Sequence, residues 1–168
     1  MGRVSLIVII LFCLAGAAAA QNKPLPQFRD FPTRDKFAGK PARPKLNSKR
    51  ARLFRTNIKD QTAEGANFAG HFRIATWGCG SGCIQFAIID VQTGDVYFPP
   101  DVETVMVFLD QDDEPLQYQV SSRLLVVLGH KEKTNWQHGE EGKFFYEWKN
   151  QRLVLIRKVK LERKQDQL

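Results

Sequence analysis

Residues 71–98 read HFRIATWGCGSGCIQFAIIDVQTGDVYF, and this stretch determines the fold. A glycine-rich break at 78–82 and a Gln-Thr-Gly-Asp break at 92–95 divide it into three runs that are rich in β-branched and aromatic residues. In the second run, Ile84, Phe86 and Ile88 alternate along one face, as they do in a β-strand. We therefore predict an antiparallel meander with strands at 71–77, 83–90 and 96–98.

The rest of the chain adds further strands to this meander. Residues 124–128, LLVVL, are apolar without alternation, which is typical of a central strand buried on both faces. The sequence predicts a closing hairpin formed by residues 144–148 and 153–159. Two further strands with a weaker pattern, at 105–109 and 116–120, flank the acidic loop 110–114. The predicted fold class is mainly β (α+β): one domain with an antiparallel sheet of about six to seven strands and one N-terminal amphipathic helix.

The first 20 residues have the pattern of a signal peptide. Arg3 supplies the basic start, residues 6–14 the apolar core and residues 18–20 the small side chains at a cleavage site, so we expect cleavage before Gln21. A membrane anchor is the alternative, but its apolar run is shorter than the roughly 20 residues that cross a bilayer. The remaining chain has no other apolar run of that length. These features predict a periplasmic or secreted protein.

Two segments surround the helix and sheet. Residues 21–46 are rich in proline, lysine and arginine and predict an extended arm, and residues 161–168 form a charged tail. Between them, the domain at 47–160 opens on a helix that Asn47 or Ser48 caps and Gly65 ends. The apolar face of this helix is formed by residues at three- and four-residue spacing, namely Ala51, Phe54, Ile58 and Thr62.

Charge is unevenly distributed along the chain. Residues 21–59 hold 12 Lys/Arg against 2 Asp/Glu, residues 60–148 hold 5 against 14, and residues 149–168 hold 7 against 2. Such basic ends suit an anionic partner, and they also neutralise the acidic centre and keep the protein in solution. We favour the second interpretation and expect no nucleic-acid partner.

Cys79 and Cys83 are the only cysteines after the leader, so export to an oxidising compartment predicts a disulfide between them. Gly80 and Gly82 permit the positive φ angles of such a small ring. We expect this turn, with Ser81 at its centre, to present Trp77 and backbone amides. Two alternatives are a redox site and a metal site that adds His71, although one strand length of roughly 20 Å separates His71 from the turn.

Other chemical signals in the sequence are weak. His130 and His138, eight residues apart, match no metal-binding spacing, and the acidic loop 110–114 lacks the glycine of a calcium loop. The chain contains neither a nucleophile-elbow pattern nor a phosphate-binding loop. We therefore predict that the protein is not an enzyme and has no cofactor.

Several motifs resemble a group of small exported bacterial proteins of unknown function. They are NFAGHF at 67–72, WGCGSGC at 77–83, IID at 88–90 followed by Thr93-Gly94, SRLLVV at 122–127 and FYEW at 145–148. Together these motifs cover roughly the C-terminal two thirds of the mature chain. The resemblance implies export and the fold, and it carries no activity.

The function that follows from the sequence is a non-enzymatic binding or interaction module. Its expected surface is the disulfide turn, with Trp77, Gly80, Ser81 and Gly82, and with His71 and Arg73 as neighbours. The expected partner belongs to one of two classes, an exported protein or an anionic component of the envelope. Copper or redox handling through Cys79, Cys83 and His71, and envelope binding through the basic ends, are the alternatives.

Overall fold

The structure is a computed structural model that describes residues 24–107, 113–132 and 139–161. Four predictions fall outside the described residues: the signal peptide with its cleavage site, most of the acidic loop, His138 and the tail beyond residue 161.

The described residues form one eight-stranded antiparallel sheet. Its order is β1-β2-β4-β6-β7-β8, with β3 paired to β2 and β5 paired to β6. The strands are β1 (Phe72–Gly78), β2 (Cys83–Asp90), β3 (Val96–Tyr97), β4 (Thr104–Met106), β5 (Leu116–Tyr118), β6 (Leu124–Glu132), β7 (Glu140–Lys149) and β8 (Arg152–Val159). The predicted mainly antiparallel β fold in a single domain is confirmed, with three of the eight strands only two or three residues long.

The sheet is strongly curled, so strands that are far apart in its order pack against each other across the inner face. Three strands lie between β1 and β7 in the sheet order, yet the rings of Phe72 and Trp148 meet edge to face with centroids 5.2 Å apart. The inner core draws on residues from β1, β2, β4, β6 and β7, together with Phe68 before β1. β1 and β8 are the two ends of this sheet order, so the curled sheet stays open.

The outer face of β1 and β2 is covered by two short helices, α1 (Lys49–Leu53) and α2 (Arg55–Ala63). Ser48 caps α1, because its Oγ accepts a hydrogen bond from the Ala51 amide at 3.0 Å. The single helix expected from the sequence is divided at Phe54, whose φ of −98° and ψ of 23° interrupt the helical backbone. The predicted inward face is otherwise present, since Ala51, Ile58 and Thr62 are all buried.

The proline-rich arm lies across the sheet and is held there by backbone hydrogen bonds. The amides of Thr33, Ala42 and Lys45 donate to the carbonyls of Ser121, Val91 and Gly94 at 3.0, 2.8 and 2.7 Å. Near its start, Phe28 and Phe31 pack on an outer cluster formed by Leu124, Val126 and Phe145. The arm therefore joins the β2–β3 turn to the start of β6.

In the described part of the chain, none of the helices combines the length and the apolar character that a membrane crossing requires.

Candidate functional site

The turn between β1 and β2 carries the predicted disulfide. Cys79 and Cys83 are bonded, with their Cα atoms 5.4 Å apart, and the Cys79 amide donates to the Cys83 carbonyl at 3.3 Å. Gly80 and Gly82 have φ of 136° and 69°, values that side-chain-bearing residues rarely adopt. The glycines at these two positions are therefore required by the turn itself.

The disulfide turn is fixed to the neighbouring strand. The amide of Val107, just after β4, donates to the Gly82 carbonyl at 2.7 Å. Cys79, Gly80 and Ser81 are exposed, while Gly82 and Cys83 are half-buried. The turn therefore offers solvent a small, rigid surface that consists largely of backbone.

Trp77 does not belong to this surface, because only 7% of it is exposed. Its ring stacks on Phe54 with centroids 4.4 Å apart and meets the edge of Phe98 at 6.3 Å. Its Nε1–H donates to Oε1 of Gln85 at 3.2 Å, and the Gln85 amide donates to Oγ1 of Thr104 at the same distance. The aromatic expected on the surface is thus part of the contact between the helices and the sheet.

Arg73 lies at the end of β1 that is remote from the disulfide. Its guanidinium donates to the Gly65 carbonyl at 3.0 Å and pairs with the Glu64 carboxylate. These partners follow the last turn of α2, where a cation is favourable because the helix dipole is negative there. Arg73 therefore ties α2 to β1, and its side chain is only 11% exposed.

His71 lies beside two carboxylates rather than beside the cysteines. Its Nδ1 is 3.5 Å from Oδ2 of Asp35 in the arm, and its Nε2 is 3.9 Å from Oδ2 of Asp90. The length of β1, roughly 20 Å, separates it from the disulfide turn. The structure does not assemble the site of His71, Cys79 and Cys83, and in the described ranges no three His, Cys, Asp or Glu side chains are grouped to hold a metal ion.

A second exposed surface lies on β8, the last strand in the sheet order. Three consecutive aliphatic residues, Val154, Leu155 and Ile156, are 41%, 47% and 40% exposed. A register shift opposite Phe145 and Tyr146 interrupts the pairing of β8 with β7 at this point. The sequence analysis identified this strand but missed its exposure, because an apolar run is normally a signal of burial.

The backbone of β8 has a defined outward side. Arg152 pairs with Lys149 across a two-residue turn, Asn150-Gln151, in which both φ angles are positive, so the Arg152 amide points to β7. Antiparallel ladders alternate, so the N–H and C=O groups of Leu153 and Leu155 point away from β7. Among the described residues no strand pairs with that side.

Basic side chains flank the exposed aliphatic residues of β8. Arg152 precedes them, and Arg157 and Lys158 follow. Arg157 also donates to the Pro24 carbonyl at 3.2 Å, and Nζ of Lys158 is 3.4 Å from Oε2 of Glu140. The open edge is therefore an apolar centre between positive ends.

A cavity of about 520 Å³ adjoins the start of β8. Half of its ten lining residues are aromatic or proline, namely Tyr97, Phe98, Pro99, Pro100 and Trp148, and Leu153 adds an aliphatic side chain. Arg152 lies at the junction between this cavity and the β8 edge. An apolar side chain of a molecule lying along β8 would have room to enter here.

Comparison with protein families, with curated proteins and with solved structures finds no match to this chain, so the disulfide turn and the β8 edge are identified from geometry and chemistry alone.

Proposed function

We propose that the protein is an exported, non-enzymatic interaction module that binds an extended segment of a partner protein along β8. The observation that carries this proposal is the run of three exposed aliphatic residues, Val154, Leu155 and Ile156, on an open strand edge. Export is supported by the signal-peptide pattern of residues 1–20 and by the cysteine pair at 79 and 83.

An open strand edge is a ready template for a further strand. Its unpaired N–H and C=O groups bond to any extended chain of suitable register, and natural proteins usually protect such edges. Strand addition takes its affinity from these main-chain bonds and its specificity from pockets for alternate side chains. β8 offers both elements, since the cavity beside Leu153 lies next to the outward backbone groups.

The charges of β8 favour an acidic partner over a second copy of the chain. An antiparallel pair of β8 strands centred on Leu155 would place Arg152 of one copy opposite Lys158 of the other, and like charges directly opposite one another are destabilising. An extended segment with acidic residues around an aliphatic centre would instead match Arg152 and Lys158. We therefore assign the site to a segment of this kind in another exported protein.

The test uses a synthetic, fluorescently labelled peptide in which three alternating valines are flanked by glutamates. We expect the disulfide-containing protein to bind it, and a matched peptide with lysine flanks to bind at least tenfold more weakly. Fluorescence anisotropy measures both affinities. Equal affinity for the two peptides would contradict the charge assignment.

Two variants of the same position separate backbone pairing from side-chain contact. Leu155→Pro removes an N–H that points away from β7, so it should abolish binding while leaving the β7–β8 bonds in place. Leu155→Thr keeps the N–H and introduces a β-branched side chain that suits a strand, and we expect it to retain most of the affinity. Binding that survives Leu155→Pro in a protein with an unchanged circular dichroism spectrum would refute the proposal.

Two further variants test whether other exposed residues contribute. Leu53 is 72% exposed on α1 and Ser81 is exposed in the disulfide turn. Leu53→Lys and Ser81→Arg should leave peptide affinity unchanged. If Ser81→Arg alone abolished binding, the interaction surface would be the disulfide turn and not β8.

A further inference from the structure

The cavity beside the start of β8 is larger than the side chain that a valine-rich segment would bring to it. Its volume is about 520 Å³, which lies within the range of roughly 300–1,000 Å³ that holds whole small ligands. A valine side chain is small and would leave most of this space empty. The cavity therefore favours a bulkier side chain at one position of the segment that binds β8.

The strand register directs one residue of a bound segment toward this cavity. Leu153 of β8 pairs with Trp148 of β7, Trp148 belongs to the buried inner core, and Leu153 packs against that core. Both residues also line the cavity, so the cavity opens on the face of the sheet that they share. In a strand added along β8, the residue directly opposite Leu153 has its side chain on this same face. That residue is therefore the one whose side chain reaches the cavity.

Aromatic rings form a large part of the cavity wall. Tyr97 and Trp148 meet edge to face with their ring centroids 5.6 Å apart, and Phe98 follows Tyr97 in the chain. Aromatic rings prefer edge-to-face or offset contacts with centroids about 4.5–7 Å apart, and such contacts add to the gain from apolar burial. Tyr97 and Phe98 are both half-buried, so part of each remains available to a partner side chain. This lining favours a further aromatic ring.

Polar groups in the cavity lining favour a ring that carries a hydrogen-bond donor. Asp101 and Gln151 both line the cavity, and their side chains contain acceptor oxygens. The indole N–H of tryptophan and the hydroxyl of tyrosine need such a partner when they are buried. Arg152 also lines the cavity, and a guanidinium is attracted to the face of an aromatic ring. These groups suit tryptophan or tyrosine better than phenylalanine or an aliphatic residue.

We propose that the segment bound by β8 runs antiparallel to it and carries a tryptophan or tyrosine opposite Leu153, with the ring in the cavity. This inference rests on the proposed function, because it names a partner residue for the same strand. Every strand pair of the described sheet is antiparallel, and antiparallel pairing is slightly more stable per residue than parallel pairing. In this direction the aromatic residue comes directly before the acidic residue that faces Arg152.

The experiment uses the full mature chain with its disulfide intact and four fluorescently labelled peptides. The first has three alternating valines between glutamates. The second and third replace the last or the first valine with tryptophan, and the fourth replaces the last valine with leucine. The second and third peptides have the same composition, so a difference between their affinities reports the position of the ring alone.

In an antiparallel strand centred on Leu155, the last valine of the peptide faces Leu153. We therefore expect the second peptide to bind about tenfold more tightly than the first, because its ring is buried among other rings. The third and fourth peptides should stay within about threefold of the first, since one has its ring at the wrong end and the other has no ring. Fluorescence anisotropy measures all four affinities.

Two protein variants fill the cavity from its two sides. Leu153→Trp introduces an indole on β8 and keeps the N–H of this residue, and Pro100→Trp introduces one at an exposed position after β3. Each should remove the preference for the last-position tryptophan and retain the affinity for the all-valine peptide. Val120→Trp is the matched control, because Val120 is 48% exposed and lies outside the cavity lining. It should keep the tenfold preference.

The outcomes separate this inference from the proposed function. If the all-valine peptide binds and tryptophan at the last position gives no gain, the inference is refuted and strand addition along β8 stands. An equal gain from leucine, or from tryptophan at the first position, refutes it in the same way. A preference that persists in both Leu153→Trp and Pro100→Trp shows that the ring binds outside the cavity and also refutes it. If none of the four peptides binds, both proposals fail.

Discussion

Phe54 and Trp77 stack with their ring centroids 4.4 Å apart, and this contact joins the interruption between α1 and α2 to β1, the first strand in the sheet order. The stack leaves Leu53, one residue earlier, 72% exposed at the end of α1. Phe54 and Trp77 thus connect the backbone break in the helical segment to the outer core of β1 and β2.

We expect Trp77→Ala to lower the free energy of unfolding by roughly 3–5 kcal/mol, because it removes a buried aromatic ring and leaves a cavity. It also leaves Oε1 of Gln85 without its indole donor. Urea denaturation followed by circular dichroism measures the loss. Leu53→Ala is the control and should change stability by less than about 0.5 kcal/mol, since its side chain is mostly in solvent.

Gly94 and Gly65 form a matched pair for testing the contact of the arm with the sheet. Both have positive φ, 81° and 86°, but a Cβ at Gly94 would collide with the Arg43 carbonyl, whereas Gly65 has open space around it. Gly65→Ala should cost about 1 kcal/mol from backbone strain alone. Gly94→Ala should cost more and speed tryptic cleavage of the arm, and equal effects of the two substitutions would contradict the close approach.

Ser122 holds the arm through its side chain. Its hydroxyl is buried, lies 2.8 Å from the Phe28 carbonyl and 3.1 Å from the Phe31 carbonyl, and accepts from the Leu124 amide. Ser122→Ala removes all three bonds; the Phe28 and Phe31 carbonyls keep the backbone donors Phe31 and Arg123, but the Leu124 amide loses its acceptor, and this should cost roughly 1–3 kcal/mol. Thermal denaturation and the rate of tryptic cleavage before residue 46 both report it. The control is the exposed neighbour Ser121: Ser121→Ala should change neither the melting temperature nor the rate of tryptic cleavage.

Tyr146 should make the protein sensitive to alkaline pH. Burial raises the pKa of its hydroxyl well above the usual 10, and the negative charges of Asp101 and Glu140 raise it further. Below pH 10 both states are protonated. Above pH 10 the unfolded state ionises first, so stability falls as the pH rises toward the folded pKa.

Tyr146→Phe tests this expectation at two pH values. The hydroxyl is buried and has no hydrogen-bond partner among the residues that the structure describes, so its removal should change stability at pH 7 by less than about 1 kcal/mol or increase it. Between pH 10 and 11, the variant should lose less stability than the wild type in urea titrations. A parallel decline of the two proteins would show that Tyr146 is not the responsible group.

The sheet could be predicted from the sequence because its signals are local. These signals are the Gly-rich turn, the Gln-Thr-Gly-Asp turn and the alternation of Ile84, Phe86 and Ile88. Each of them depends on residues that are close together in the chain. The inward face of the helical segment was predicted for the same reason, since Ala51, Ile58 and Thr62 lie one or two turns apart.

The surface features could not be predicted because they depend on distant partners. Trp77 is buried by Phe54 and Phe98, and the exposure of Leu155 follows from the position of β8 at the end of the sheet order. The alternative site of His71 with Cys79 and Cys83 is not assembled for a related reason. These residues are close in sequence, but they lie at opposite ends of β1, about one strand length apart.

The attachment of the arm has a consequence for the order of folding. The contact of Phe28 with Ser122 closes a separation of 94 residues, so it forms only after β6 is in place. Until then, Leu124, Val126 and Phe145 lack the cover of Phe28 and Phe31. A folding chain therefore passes through a stage with an adhesive apolar patch, and the speed at which the arm docks sets how long the protein is exposed to aggregation.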